Sequence, residues 1–310
     1  MLEFIKPAVN SPSTGVLGIM HVRNEMLRME GVLDHHRRLG VEEFLVVDNG
    51  STDGTREYLE AQPDVNLFFS EQPYSQGKYG LDATNALLNR HGEGRWCLTI
   101  DADEYFVYPH CENKRLPLFV KYLERQGAEA VLTILLDMYS ARSIAETEPE
   151  PGRSLWQVCP HFDGDPYSCS KADLFPFVQI VGGPRRRVFW DRGSSVPPPT
   201  VNKVPLVKWR KGYRYASSTH FLKPGPARLA EVSGALLHFK FLSDFHHRAA
   251  HEAERQEHFH GAREYKKYIE KLAETPSLSL FYEGSRKYNK STDLVQVGLI
   301  QNSPAWSFFL

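Results

Sequence analysis

The chain has 310 residues, with 37 Lys and Arg against 38 Asp and Glu, so its formal net charge is −1. This neutrality disfavours a general nucleic-acid binder, which usually carries a basic excess. The 41% share of hydrophobic residues excludes a disordered chain and suffices for one large domain or two lobes that share a core.

The first 140 residues alternate between strand and helix patterns. Short apolar runs predict five strands, at 15–21, 43–48, 65–70, 96–100 and 129–136. The intervening segments predict helices, at 24–39, 51–61, 78–89 and 117–126. This alternation predicts an α/β fold in which helices cover both faces of a parallel sheet.

The remaining residues have a different character. Pro, Gly and aromatic residues are dense at 140–225, which indicates loops and short strands that cover one edge of the sheet. Residues 243–274 predict a charged, His-rich helix, which we interpret as a surface helix. The aromatic side chains of Trp156, Trp190, Trp209 and Phe162 could stack on a sugar ring or belong to the core.

Targeting signals and cysteines bear on the cellular compartment. No apolar run approaches the ~18–20 residues of a membrane span, and residues 1–15 lack the pattern of a signal peptide. We therefore expect a cytoplasmic protein, which could also contact the inner face of the membrane as a peripheral protein. The four cysteines show no metal-type spacing, and we expect reduced thiols.

Polar residues follow three of the predicted strands, at 21–25, 48–53 and 101–104. The carboxyl ends of parallel strands share one edge of a sheet, where ligands bind. Asp101 and Asp103 offer oxygen ligands that suit Mg²⁺ or Mn²⁺. Asp48 can accept a hydrogen bond from a base or a ribose. A solvated acidic turn and an ordinary helix-capping loop remain the alternatives.

These motifs resemble those of the GT-A glycosyltransferases, in particular the family 2 type with features of family 92. The resemblance covers most of 15–240 and rests on HVRNE (21–25), VVDNGSTDGT (46–55), DADE (101–104), NKVPLVKW (202–209), STHF (218–221) and LLHFK (236–240). It implies a GT-A, Rossmann-like, mostly parallel sheet in a domain at 1–240. Within that domain, 1–137 would bind the nucleotide-sugar and 138–240 would face the acceptor, and 241–310 would form a helical C-terminal extension.

The resemblance also implies roles for individual residues. Asp48 would contact the nucleobase, and Arg23 and Glu25 would line the nucleotide pocket. Asp103 would be the main ligand of a divalent metal, Mn²⁺ or Mg²⁺. Lys78, Asp101, Ala102 and Lys240 would also belong to the donor site. Asp101 and His238 would be further metal ligands, and His220 is a weaker candidate for the role of His238.

The implied reaction is metal-dependent transfer of a sugar from a nucleotide-diphosphate-sugar, with a UDP-sugar favoured, to a hydroxyl of a saccharide or lipid-linked acceptor. Inversion would need a carboxylate base, but the chain departs from the family 2 pattern at the usual place of that acid, so inversion and retention both stay open. Asp137, Asp163 and Asp165 are the base candidates, and each could instead be structural or contact the acceptor. The basic turn at 182–187 could contact the diphosphate or lie in solvent. The alternatives are a non-catalytic carbohydrate-binding scaffold and a metal-dependent nucleotidyl- or phosphotransferase.

Overall fold

A computed structural model describes residues 2–9, 15–72, 76–78, 80–150, 152–190, 197–255 and 259–310. The side chains of residues 217, 255 and 259–262 lie outside this description. Two histidines of the predicted His-rich helix, His258 and the His260 side chain, are therefore outside the described residues.

The described residues form strands and helices at the following positions. The strands are β1 (Glu3–Lys6), β2 (Leu17–Val22), β3 (Glu43–Asp48), β4 (Val65–Phe69), β5 (Trp96–Thr99), β6 (Glu104–Val107), β7 (Ala130–Asp137), β8 (His161–Asp163), β9 (Tyr167–Lys171), β10 (Val178–Gly182), β11 (Asn202–Lys208), β12 (Arg214–Ser217), β13 (Phe221–Lys223), β14 (Gly234–His238) and β15 (Ser285–Lys287). The helices are α1 (Met26–Leu39), α2 (Thr55–Glu60), α3 (Leu81–His91), α4 (Leu116–Arg125), α5 (Leu155–Val158), α6 (Phe245–Arg255), α7 (Phe259–Glu274), α8 (Ser291–Gln296) and α9 (Pro304–Ser307).

The central sheet of the described chain has nine strands, in the order β1-β4-β3-β2-β5-β11-β7-β14-β6. Parallel pairing joins β4, β3, β2 and β5, and also β7 and β14. Because β11 is antiparallel to both β5 and β7, these six strands all run in one direction. The mostly parallel α/β sheet expected from the sequence is confirmed.

Strand β11 departs from the prediction, because it lies in the middle of the sheet although we expected residues 140–225 to form a cover. Its pairing with β7 is irregular between Lys203 and Leu206, the stretch that contains Pro205. Proline cannot donate a ladder hydrogen bond and is rare in central strands. The prediction failed here because a proline in the local sequence argues against a strand. Burial between β5 and β7 nevertheless favours one.

Both faces of the sheet are covered, as the alternation of strands and helices predicted. Along β3, Phe44 and Val46 join one hydrophobic cluster, whereas Leu45 and Val47 join another. This separation follows from the two-residue period of a strand, which sends successive side chains to opposite faces. The first cluster includes Met29 of α1.

The His-rich segment forms two helices, α6 and α7, that pack on the protein rather than lying free on its surface. Phe245 and Ala249 of α6 and Tyr268 and Leu272 of α7 are buried in a third cluster. The polar side of the segment is exposed, as at His246, His247 and His251, which agrees with the predicted surface helix, and its apolar face packs beside the sheet.

Other expectations concern single side chains and membrane spans. Trp209, Trp190 and Phe162 are buried as core residues, and Trp156 is half-buried. The four cysteines are free thiols. Among the described helices, none combines the length and the apolar character that a membrane crossing requires.

We predict that the buried His36 makes folding sensitive to mild acid. Its Nδ1 lies 2.8 Å from the carbonyl oxygen of Val32, and its Nε2 accepts a hydrogen bond from the amide of Phe106 at 3.2 Å. This pairing needs a neutral ring, and burial holds the pKa of His36 well below 6.5. The unfolded chain takes up the proton below pH 6.5 while the folded chain does not, so acid favours unfolding.

The unfolding free energy should therefore fall by up to about 1.4 kcal/mol per pH unit for this histidine alone as the pH drops below 6.5. Urea titrations at pH 7.5, 6.5 and 5.5 measure this slope. His36→Gln should flatten it, and the exposed His246→Gln should leave it at the wild-type value. An unchanged slope in His36→Gln would contradict the assignment.

Candidate functional site

A cavity of about 410 Å³ opens at the carboxyl ends of the parallel strands. Its walls come from the segment after β2, the segment after β5, the end of β14, and helices α6 and α7. The lining residues are His21, Arg23, Asn24, Glu25, Asn49, Asp101, Ala102, Asp103, His238, Lys240, His247, Arg248, His251, Glu252 and Tyr265. Many of the residues singled out from the sequence therefore line one cavity.

A chain of three side chains crosses the base of this cavity. His238 Nε2 lies 3.2 Å from Asp103 Oδ2, and His238 Nδ1 lies 2.6 Å from Asp137 Oδ1. Burial by itself lowers the pKa of His238, but the two carboxylates outweigh it and hold that pKa above the ordinary value. Burial raises the pKa of Asp103, but His238 outweighs it and holds that pKa well below the usual range.

This arrangement fits a divalent metal in its chemistry. Among the described residues, no group of three His, Cys, Asp or Glu side chains is already arranged around a metal position. Asp103 and His238 nevertheless supply one carboxylate and one imidazole to the cavity, and Mg²⁺ and Mn²⁺ commonly take their other ligands from phosphate and water. Asp137 contacts the far ring nitrogen of His238, as carboxylates do behind metal-binding histidines.

Lys203 of β11 holds the other two acids of the DADE segment. Its Nζ donates to Asp101 Oδ2 at 2.8 Å and to Glu104 Oε1. Burial, followed by the charge of Asp101, raises the pKa of Glu104 to about 7. Burial also raises the pKa of Asp101, but Lys203 outweighs it and the net shift is downward. Lys203 therefore neutralises the buried Glu104 and holds the more exposed Asp101 at the cavity.

Asp48 lies beneath the cavity rather than on its wall. Its carboxylate is 1% exposed and accepts the backbone amide of Ser51 at 3.1 Å. The loop that it supports is also held by the segment after β2, because Arg23 Nη1 donates to the carbonyl of Asn49 at 2.8 Å. Asp48 thus shapes the loop that presents Asn49 to the cavity.

Several predicted site residues lie outside the cavity lining. Lys78 is exposed and pairs with Asp82 at 3.0 Å. Asp163 is buried, where it accepts from Arg187 at 2.8 Å and from the hydroxyl of Tyr139 at 2.6 Å. Asp165 is exposed.

Asp137 is buried and outside the lining as well, with one oxygen facing His238 and the other accepting from Arg185 Nε at 2.7 Å. Two arginines of the basic turn therefore form ion pairs within the protein, Arg185 with Asp137 and Arg187 with Asp163. His220 also lies outside the lining, where burial lowers its pKa to about 4.

Sequence reasoning missed the contribution of α6. Arg28 of α1 donates to both carboxylate oxygens of Asp244 at 2.7 Å and to the carbonyl of Phe239 at 3.2 Å. This contact attaches the start of α6 to α1 and brings His247 and Arg248 to the cavity. The signal available in the sequence was an arginine on the buried face of α1, whose charge requires a partner.

We predict that Lys203→Met destabilises the fold by about 3 kcal/mol, since it leaves Glu104 buried without its cation. Glu104 must then be protonated, so the loss should be larger at pH 8 than at pH 6. Lys208 on the same strand pairs with Glu124 near the surface, at 2.9 Å. Lys208→Met should therefore cost at most about 1 kcal/mol. Urea unfolding at both pH values tests this, and equal losses in the two variants would refute it.

Comparison with known proteins gives a family match for part of the chain. Residues 19–147 match the family described as Glycosyl transferase family 2. No curated protein matches the chain.

Solved structures with a similar course of the chain have low identity. S. aureus TarS 1-349 is 12% identical, with 84% of this chain and 72% of that chain covered and a TM-score of 0.38. A longer S. aureus TarS structure is 19% identical over 43% of this chain, with a TM-score of 0.33, and only 26% of that structure's length is spanned. UDP-glucose pyrophosphorylase from acinetobacter baumanii is 10% identical, with 84% of each chain covered and a TM-score of 0.32. Residues 19–147, somewhat less than half of the chain, are therefore similar to a glycosyl transferase family 2 domain, and the mostly parallel α/β sheet around them is consistent with the GT-A fold.

Proposed function

We propose that the chain transfers a sugar from a nucleotide-diphosphate-sugar, with a UDP-sugar favoured, to a hydroxyl of a saccharide or lipid-linked acceptor, with the help of Mn²⁺ or Mg²⁺. The observation that carries this proposal is the pairing of Asp103 and His238 inside the cavity, with Asp137 behind His238. A carboxylate and an oriented imidazole at the carboxyl ends of parallel strands suit a metal-bound diphosphate.

The chemistry of the leaving group explains why such a site is needed. Glycosyl transfer releases a nucleoside diphosphate, on which negative charge develops. A divalent metal held by Asp103 and His238 would supply Lewis-acid stabilisation of that charge. Asp137 would hold the His238 ring in orientation, and Lys203 would keep Asp101 in place beside the metal ligands.

The nucleoside would lie against the loops after β2 and β3. Arg23, Glu25 and Asn49 line this side of the cavity, and Asp48 supports the loop from below. Lys240 lines the other side, 3.6 Å from Glu264 and over the ring of Tyr265. We assign Lys240 to the phosphates. We assign Lys78 no donor contact, because its side chain is 73% exposed and paired with Asp82 outside the lining.

We further propose inversion at the anomeric carbon. The geometry favours a positioning role for Asp137, because its two oxygens are used by His238 and Arg185. Asp163 is likewise engaged by Arg187 and Tyr139. The anomer formed in the first minutes of reaction, read by proton NMR, tests inversion, and retention of configuration would refute it.

We predict that Asp103→Asn abolishes metal-dependent donor binding. The amide keeps the shape of the side chain but loses the charge that a divalent cation requires. Thermal shift and calorimetry with UDP-, GDP- and TDP-sugars, with and without Mn²⁺, give the readout. Asp173→Asn is the matched control, since Asp173 is exposed and outside the cavity lining.

Wild-type protein that shows no metal-dependent response to any of these donors would refute the proposed function. Saccharide binding without any nucleotide response would favour a carbohydrate-binding scaffold instead.

Asp137→Asn should lower the apparent affinity for Mn²⁺ by about 10-fold to 100-fold, because the His238 ring loses its orienting carboxylate. Raising the Mn²⁺ concentration should then restore much of the transfer rate. A rate loss that no Mn²⁺ concentration restores would instead make Asp137 the base.

Asp165→Asn should transfer at the wild-type rate, and loss of transfer with unchanged donor affinity would identify Asp165 as the base.

A further inference from the structure

The sequence suggested the basic turn at 182–187 as a phosphate contact, but two of its arginines form ion pairs within the protein. Arg185 is buried against Asp137, and Arg187 is paired with the buried Asp163. Helix α6 brings a different guanidinium, that of Arg248, to the wall of the cavity. We propose that Arg248 is a phosphate-binding residue of the donor site and that Glu25 is its positioning residue. This inference rests on the proposed function.

The contacts of Arg248 leave hydrogen-bond donors available. Its Nη2 donates to Glu25 Oε1 at 2.6 Å. Its Nη1 lies 3.9 Å from Asp244 Oδ2 and makes no hydrogen bond within the described part of the chain. One third of its side chain is exposed, so the guanidinium is accessible from the cavity. A guanidinium has five N–H donors in a planar fork. Arg248 can therefore keep its contact with Glu25 and still donate to a phosphate oxygen.

Two anchors keep this guanidinium in place. Asp244, one helical turn before Arg248, is bound by both terminal nitrogens of Arg28 at 2.7 Å. Phe245 is buried against Phe241 and Tyr268, with ring centroids 5.0 and 5.2 Å apart. Because the start of α6 is fixed, Arg248 is presented in one position, and an oriented fork suits a tetrahedral phosphate.

Arg248 lies on the acidic side of the site, because it lines the same cavity as Asp103 and pairs with Glu25. Arg28 also lies 3.7 Å from Glu25, but its side chain is fully buried and cannot reach a ligand. The diphosphate of a metal-bound donor would lie next to Asp103, and Arg248 supplies a cation on that side of the cavity.

The test is calorimetry with uridine, UMP and UDP in the presence of Mn²⁺, because these ligands differ only in their phosphates. Arg248→Met should weaken UDP binding by about 10-fold to 100-fold, since it removes a charge-assisted hydrogen bond. It should weaken UMP binding less and leave uridine binding unchanged. Arg248→Lys should lie between Arg248→Met and the wild type.

Glu25→Gln should also weaken UDP binding more than uridine binding, because the guanidinium loses its orienting carboxylate. Arg263→Met is the matched control, since Arg263 is an exposed arginine of the adjacent helix α7. Circular dichroism and thermal unfolding of each variant verify the fold.

If Arg248→Met binds UDP with wild-type affinity, this inference is wrong while the proposed function stands. The same holds if Arg248→Met loses affinity equally for uridine and UDP, because that result indicates a structural role. A wild-type protein that binds none of the three ligands would overturn the proposed function together with the inference.

Discussion

Most of the carboxylates that pair with cations at this edge of the sheet are buried, and the need to compensate their charge is the constraint that organises the site. Removing a charge from water costs several kcal/mol unless a partner and hydrogen bonds compensate. The pairs at this edge are Glu25 with Arg248, Asp101 and Glu104 with Lys203, Asp103 with His238, and Asp137 with both His238 and Arg185.

These pairs divide the chain into an acidic part and a basic part. The carboxylates all lie in the first 137 residues, whereas most of their cationic partners lie between Arg185 and Arg248. The family match ends at residue 147, so it contains most strands of the central sheet and all of these acids but, apart from Arg28 beside Glu25, none of the cationic partners named above. The second half of the chain is therefore part of the site and more than a cover over it.

Much of the first half follows from local sequence. The five expected strands appear as β2, β3, β4, β5 and β7, since buried strands read as apolar runs whatever their neighbours. The DADE segment directly follows β5 and lines the cavity, as a strand-end motif should. His238 came from the resemblance alone, and the structure brings it to Asp103 across 135 residues of sequence.

The sequence alone determined five strands of the sheet, their helical cover and the edge at which the polar motifs collect, because strand and helix periods and strand-end positions are local properties. Only the tertiary structure decided which charges meet. Lys203 reaches the acids because β11 enters the sheet beside β5, and Arg248 reaches Glu25 because Arg28 holds the start of α6. Such pairings join residues about 100 to 220 positions apart, and no local pattern specifies them, since they depend on sheet order and on the cost of leaving a buried charge unpaired.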